Sequence, residues 1–217
     1  MENERRIDRT TSMGMDEHRL SDILHASQIK ATDIYETPPQ IIWIDNSTIA
    51  TLGNFSASTG KAKSKKTFNV SALVAASLAG KQVLNYRAHL PEGKQRILYV
   101  DTEQSRFHCR SVLERILRLA GLPTTTDPEN LDFFCLREYS PSVRIEVIDY
   151  ALRQQKGYGL VIIDGIRDLM LDINNAGESV EVINRMMEWS SRYDLHIHCV
   201  LHLNKGDNNV RGHIGTE

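Results

Sequence analysis

The lysine-rich segment at residues 60–67, GKAKSKKT, constrains this chain more than any other stretch. Phosphate-binding loops have the order Gly, four residues, Gly, Lys and Ser or Thr, and they connect a strand to a helix. Gly60 opens this pattern and Lys66 and Thr67 close it at the required spacing, but Lys65 stands where the second Gly belongs. The segment therefore predicts a nucleotide site, a damaged nucleotide site or a basic surface turn.

The elements predicted around this segment favour a nucleotide site. Residues 41–44 and 48–52 predict two strands, of which the second leads through Gly53 into the loop. Residues 67–79 predict a helix that Gly80 ends, with apolar positions suited to packing on a sheet. The order is strand, loop and helix, which a phosphate-binding loop requires.

Strands and helices alternate along the rest of the chain. The predicted strands cover 96–101, 131–136, 160–164 and 196–203, and the predicted helices cover 105–120, 140 to about 157, and 178–193. This alternation predicts an α/β fold with a mostly parallel sheet and helices on both faces. Ligands of such sheets bind beyond the C-terminal ends of the strands, so the residues that follow each strand are the candidates for function.

Composition and termini set the limits of this prediction. The chain has 217 residues and a net charge of −2, so a nucleic-acid contact would need a local basic patch. Residues 1–37 predict a polar tail and a short amphipathic helix, and residues 38–217 predict the core. The polar N-terminus and the lack of a long apolar run predict a cytoplasmic protein without a membrane contact.

The three cysteines, Cys109, Cys135 and Cys199, show no zinc-binding spacing. We expect them to be reduced thiols in a cytosolic protein, and two of them lie in apolar runs.

The loop itself supplies the predicted phosphate and metal ligands. The backbone of the segment and the start of the following helix would surround the phosphates. The residues assigned to this nucleotide-binding role are Gly60, Lys61, Ala62, Lys63, Ser64, Lys65, Lys66 and Thr67. Lys66 is predicted to bind the β- and γ-phosphates, and Thr67 to hold Mg²⁺.

Carboxylates follow two of the predicted strands. Glu103, just after the strand at 96–101, is a candidate base for the water that attacks the γ-phosphate, with a solvated turn or a helix N-terminal acid as the alternative. Asp164 ends the most apolar strand and is predicted to hold Mg²⁺, with a turn or helix cap as the alternative.

The last predicted strand and the tail supply two further catalytic candidates. His202 is predicted to sense the γ-phosphate, or else to be a core histidine with a hydrogen-bond partner. His196, His198 and His202 share one side of the strand, which is also compatible with a metal site, although no carboxylate or cysteine cluster supports one. Arg211 is a candidate arginine finger or DNA contact, or else a solvated side chain.

Taken in chain order, these segments resemble the RecA-like P-loop ATPases. GKAKSKKT lies over the family's phosphate loop, VDTEQ at 100–104 looks like its catalytic-glutamate segment, and LVIIDGIRDL at 160–169 is similar to its second nucleotide motif. HLNKGDNNVRGHIGT at 202–216 looks like the sensor strand and loop of the hexameric plasmid-helicase branch, which is often described as RepA-type AAA ATPases of mobile elements.

The resemblance covers about residues 38–217 and implies a RecA-like P-loop NTPase. It implies ATP and Mg²⁺ as cofactors, single-stranded DNA as a partner, a homo-hexamer, and a helicase-like role in plasmid or mobile-element DNA replication or mobilisation. Family members continue beyond the sensor loop, so the resemblance also implies truncation at the C-terminus.

Lys65 is the departure that leaves other functions open. If its position needs a positive φ, a non-glycine residue there costs roughly 1–2 kcal/mol. One alternative is a nucleotide- or anion-binding module with little or no turnover, which serves assembly of a DNA complex or its regulation. Another is direct DNA binding by the lysines, which would depend steeply on salt and show no competition by ATP.

Overall fold

The computed structural model describes residues 17–60, 65–172 and 176–202, with His202 described by its backbone alone. The chain divides into two compact units, one that extends to Thr37 and one that begins at Pro38. The first unit contains the helix α1 (Glu17–Ser27), none of whose side chains is buried. None of the helices among the described residues is long and apolar enough to cross a membrane.

The second unit contains eight strands, four helices and one short 3₁₀ helix among its described residues. The strands are β1 (Gln40–Ile44), β2 (Ser47–Thr51), β3 (Phe55–Gly60), β4 (Tyr86–Ala88), β5 (Arg96–Asp101), β6 (Leu131–Cys135), β7 (Tyr158–Asp164) and β8 (His196–His202). The helices are α2 (Lys66–Ala79), α3 (Arg106–Ala120), α4 (Pro141–Gln154) and α5 (Ala176–Arg192), and the 3₁₀ helix covers Ile166–Leu169.

A five-stranded parallel sheet in the order β3-β8-β7-β5-β6 forms the centre of this unit. Alternate residues of β5 and β7 point to opposite faces and join two separate apolar cores. One core contains α2 and α3, and the other contains α4 and α5. The prediction of an α/β fold with a mostly parallel sheet and helices on both faces is confirmed, and the arrangement is that of a RecA-like P-loop NTPase.

The register of the sheet brings the predicted functional residues to one edge. Gly60 pairs with His202, and Asp101 pairs with both Asp164 and Cys135. Because parallel strands end at the same edge, the C-terminal ends of β3, β5 and β7 share one crevice. β8 lies between β3 and β7, so its end is adjacent to both the loop strand and the strand that carries Asp164.

The prediction that the strand at 48–52 leads into the loop was wrong. That segment is β2, which pairs with β1 in a separate antiparallel sheet of order β2-β1-β4. The chain turns at Gly53, whose φ is 73°, and β3 then leads into the loop. β3 has the sequence FSASTG, in which Phe55 and Ala57 are the only apolar side chains, so its strand signal is weak. The three-residue β4 was missed as well.

The polar positions of β3 are explained by two histidines of the neighbouring strand. The Ser56 hydroxyl lies 2.8 Å from His196 Nε2 and 2.8 Å from His198 Nδ1, and Ser58 Oγ lies 2.8 Å from His198 Nε2. Burial lowers the pKa of each imidazole to about 4, so both are neutral near pH 7. His196 and His198 are therefore core histidines with hydrogen-bond partners on β3 and at Thr51.

We predict that these two histidines make stability depend on pH. Their folded pKa lies below the unfolded value of about 6.5, so the unfolded chain binds more protons as pH falls from about 6.5 towards 4. The free energy of unfolding should be highest above pH 6.5, and it should fall by roughly 2–3 kcal/mol per histidine between pH 6.5 and pH 4.

Urea unfolding at pH 7.5 and pH 5 measures this effect. His198→Gln should reduce the difference between the two pH values, whereas the exposed His89→Gln should retain the wild-type difference. An equal pH difference in the wild type and in His198→Gln would contradict the assignment.

Candidate nucleotide site

Lys65 precedes the first turn of α2 and has the left-handed backbone conformation that a glycine usually adopts. Its φ and ψ are 62° and 25°, and its carbonyl accepts hydrogen bonds from the N–H groups of Phe68 and Asn69. The position does need a positive φ, so Lys65 bears the strain of roughly 1–2 kcal/mol that was anticipated. Its side chain is exposed.

Lys66 places its ammonium at the end of the strand that precedes the loop. Its Nζ donates a hydrogen bond of 2.7 Å to the Gly60 carbonyl, and the residue is only 8% exposed. Burial lowers the pKa of this ammonium, while the charges of Glu103 and Asp164 act in the opposite direction. The predicted phosphate-binding lysine and the two predicted carboxylates therefore lie within electrostatic reach of one another.

Asp164 ends β7 as a buried carboxylate that a tyrosine holds in place. The Tyr99 hydroxyl donates a hydrogen bond of 2.9 Å to Asp164 Oδ2, and the Tyr99 ring stacks on Phe133 with 4.3 Å between centroids. Burial, followed by the charge of Asp101, raises the pKa of Asp164 to about 7. A positively charged ligand beside this carboxylate would favour its ionised form.

Asp101 shapes the turn that carries Glu103. Its Oδ1 accepts the N–H groups of Glu103 and Gln104 at 3.0 and 2.8 Å, and its Oδ2 accepts the Gln104 side-chain amide at 2.7 Å. Asp101 is fully buried, whereas Glu103 is exposed at the crevice. Asp101 was not among the predicted site residues, although an aspartate followed by a helix start is a known signal for such a side-chain turn.

Gly165 lets the ends of β5 and β7 approach each other closely. The Thr102 hydroxyl lies 2.8 Å from the Gly165 carbonyl, and Gly165 has a φ of 104°. A Cβ atom at Gly165 would lie 2.2 Å from Thr102 Oγ1 and 2.8 Å from Glu103 Cγ. Gly165 was not among the predicted site residues, although a glycine directly after a strand-end aspartate is the signal that marks it.

A family described as AAA domain matches residues 20–208 of the chain. The chain belongs to this family. It is therefore a P-loop ATPase-family protein, as the phosphate loop and the strand-end carboxylates indicate. A search of the curated proteins gave no match.

The residues of this AAA domain fit the Mg²⁺ that accompanies a nucleotide in P-loop ATPases. Among the described residues, Glu103 and Asp164 lie near the buried ammonium of Lys66, and Asp101 lies near Asp164, so these four side chains together carry an excess of negative charge. Thr67 follows Lys66 in the first turn of α2 and offers a hydroxyl oxygen. Hard oxygen ligands with excess negative charge suit a divalent cation such as Mg²⁺.

The structure brings together part of the predicted site. Lys66, Glu103 and Asp164 lie at one edge of the sheet, and the backbone of His202 lies beside Gly60. The predicted ligands Lys61, Ala62, Lys63 and Ser64, the predicted finger Arg211 and the side chain of His202 lie outside the described part of the chain. Their roles stay predictions.

We predict that Gly165→Ala destabilises this AAA domain far more than Gly53→Ala. Both positions have a positive φ, but a Cβ at Gly53 would meet nothing within 4 Å. Gly53→Ala should therefore cost about 1 kcal/mol from backbone strain alone, and Gly165→Ala about 3 kcal/mol or more because of the added clash. The free energies of unfolding in urea measure the difference, and equal losses in the two variants would contradict the close approach.

Proposed function

We propose that this chain is an ATP-hydrolysing motor domain that acts on DNA in the replication or mobilisation of plasmids or other mobile elements. The observation that carries the proposal is the convergence of Lys66, Glu103 and Asp164 at the C-terminal edge of the sheet. Membership of the AAA domain family supports a nucleotide as the ligand of this edge.

ATP binding would use the start of α2. The N–H groups of the first helical turn and the partial positive charge of the helix N-terminus favour a bound phosphate. The Lys66 ammonium now donates to the Gly60 carbonyl, and a β- or γ-phosphate oxygen would replace or share that hydrogen bond. A lowered pKa at Lys66 shows the cost of its burial, which a phosphate anion would offset.

Hydrolysis would use the turn after β5. Glu103 is exposed to the crevice, while Asp101 fixes the backbone on which it stands. The Glu103 carboxylate would orient a water molecule and accept its proton as the water attacks the γ-phosphate. Thr67 and Asp164 would hold Mg²⁺, and Tyr99 would keep the Asp164 carboxylate in position. Mg²⁺ held by these residues would supply positive charge to offset that of the phosphates.

The DNA-related part of the proposal depends on the resemblance of residues 202–216 to the plasmid-helicase branch. Under this proposal His202 senses the γ-phosphate, and Arg211 contacts DNA or the nucleotide of a neighbouring subunit. A homo-hexamer around single-stranded DNA is the assembly in which one subunit can supply such an arginine to the next.

Lys65 supports a second candidate, a nucleotide-holding module with little turnover. Its exposed side chain replaces a hydrogen atom at the loop position that usually lies close to the phosphates. A cation there would strengthen anion binding without adding a group that activates water. The two candidates differ in turnover and agree in nucleotide binding.

We predict that Glu103→Gln lowers the ATPase rate by about 10²-fold or more, because loss of a general base has that effect. Glu129→Gln, an exposed change at the opposite edge of the sheet, should retain the wild-type rate. Phosphate release from Mg·ATP, with and without single-stranded DNA, measures both.

The same assay separates the two candidates. A motor domain should hydrolyse ATP faster with single-stranded DNA than without it. A wild-type rate at background under both conditions would contradict hydrolysis and leave the nucleotide-holding module, whereas equal rates above background in the wild type and in Glu103→Gln would contradict the role of Glu103.

A further inference from the structure

Two of the three cysteines converge on one backbone oxygen next to the predicted catalytic turn. Cys135 is the last residue of β6, and Cys109 lies in the first turn of α3. The Cys135 thiol donates to the Gln104 carbonyl at 3.3 Å, and the Cys109 thiol reaches the same oxygen at 3.7 Å. The two thiols also lie close enough to interact electrostatically. The two sulfur atoms are thus neighbours, although 26 positions separate them in the sequence.

A small cavity gives solvent access to this pair. It has a volume of about 220 Å³ and is lined by both cysteines, Arg106, Arg110, Leu113 and Phe133. Cys135 is partly exposed, whereas Cys109 is buried. Two guanidinium groups line the cavity, one of them paired with Glu114, so its charge favours an anionic reagent over a cationic one.

We propose that Cys109 and Cys135 form a redox-active pair that an anionic low-molecular-weight disulfide converts into an intramolecular disulfide. Cys135 is the first nucleophile because it is the thiol that a reagent can reach from the cavity. The third cysteine, Cys199, lies buried in β8 with its thiol directed at the Ser56 carbonyl, and takes no part.

The reaction is a pair of thiol–disulfide exchanges. The Cys135 sulfur attacks one sulfur of the small disulfide, a mixed disulfide forms, and one small thiol leaves with the proton that Cys135 loses. The Cys109 sulfur then attacks Cys135 Sγ, the protein disulfide forms, and the second small thiol leaves with the proton of Cys109. The two protein thiols lose two electrons, and the small disulfide gains them. Cys109 is buried and Cys135 is partly exposed, so the reagent reaches Cys135 first. Burial also raises the pKa of Cys109, which disfavours it as the first attacking thiol, and Cys109 acts second because both thiols share the Gln104 carbonyl.

The disulfide would act on the turn that carries Glu103. Reduced, both thiols donate to the carbonyl of Gln104, the residue that follows Glu103. Oxidation removes both donors and ties the first turn of α3 to the end of β6. A slower ATPase reaction is the expected consequence, and this one consequence rests on the proposed function, whereas disulfide formation does not.

Thiol counting on the full chain tests the proposal. The protein is incubated with glutathione disulfide, denatured, alkylated and analysed by mass spectrometry after digestion. One alkylated cysteine, Cys199, should remain in place of the three of the reduced chain, and a peptide pair should link Cys109 to Cys135. Cys199→Ser should give the same linked pair. Three alkylated cysteines at an oxidising ratio of glutathione, or a link that includes Cys199, would overturn the proposal.

Two single variants test the order of the steps. Cys109→Ser should stop at a glutathione adduct on Cys135, and Cys135→Ser should leave Cys109 free. An adduct on Cys109 in the Cys135→Ser variant would overturn the assignment of Cys135 as the attacking thiol.

Phosphate release before and after oxidation tests the consequence for the turn. A displaced catalytic group costs about 10-fold to 100-fold in rate, so oxidised wild type should lose that much and recover it with dithiothreitol, while Cys135→Ser should not respond. An unchanged rate in a chain that has formed the disulfide would overturn only the effect on Glu103. The absence of any ATPase activity in the reduced chain would count against the proposed function and leave the thiol count standing.

Discussion

The candidate site depends on the attraction between the buried ammonium of Lys66 and the carboxylates at the C-terminal edge of the sheet. Lys66 is desolvated, and Glu103 and Asp164 offset part of that cost. Asp164 is desolvated as well, and the neighbouring Asp101 makes its charge less favourable still. These groups stay together because the parallel register ends β5 and β7 at the same level and because Tyr99 binds Asp164 from within the sheet. An anion bound at Lys66 and a cation bound at Asp164 would each offset the desolvation cost of the buried group that it contacts.

Much of the fold could be predicted from the sequence because the strong signals are local. The apolar runs at 96–101 and 160–164 located β5 and β7, and the bounds predicted for β5, β7, α3 and α4 lie within three residues of the observed ones. The strand β3 was missed because its Ser56 and Ser58 bind histidines of β8, which lie 140 residues further along the chain. A polar strand of this kind is recognisable only when its partner strand is known.

The residues of the candidate site also fall into a group that the sequence marks locally and a group that it does not. Lys66, Glu103 and Asp164 were predictable because the spacing of the loop and the ends of apolar strands mark them. Tyr99 and Thr102 were not predicted, because their roles are contacts between β5 and β7 that no local pattern records. Gly165 was missed although its place directly after a strand-end aspartate is a local signal. Lys65 was predictable in part. The loop pattern gave its position, whereas its positive φ is visible only in the backbone of the folded chain.

Calorimetric titration of Mg·ATP into the intact chain tests most directly whether this edge is a nucleotide site. The wild type should bind one nucleotide per chain, and Lys66→Ala should weaken the affinity by roughly 10-fold to 100-fold, as loss of a charge-assisted hydrogen bond predicts. Lys156→Ala, an exposed lysine at the opposite edge of the sheet, should bind like the wild type. Equal affinity in the wild type and in Lys66→Ala would contradict the account.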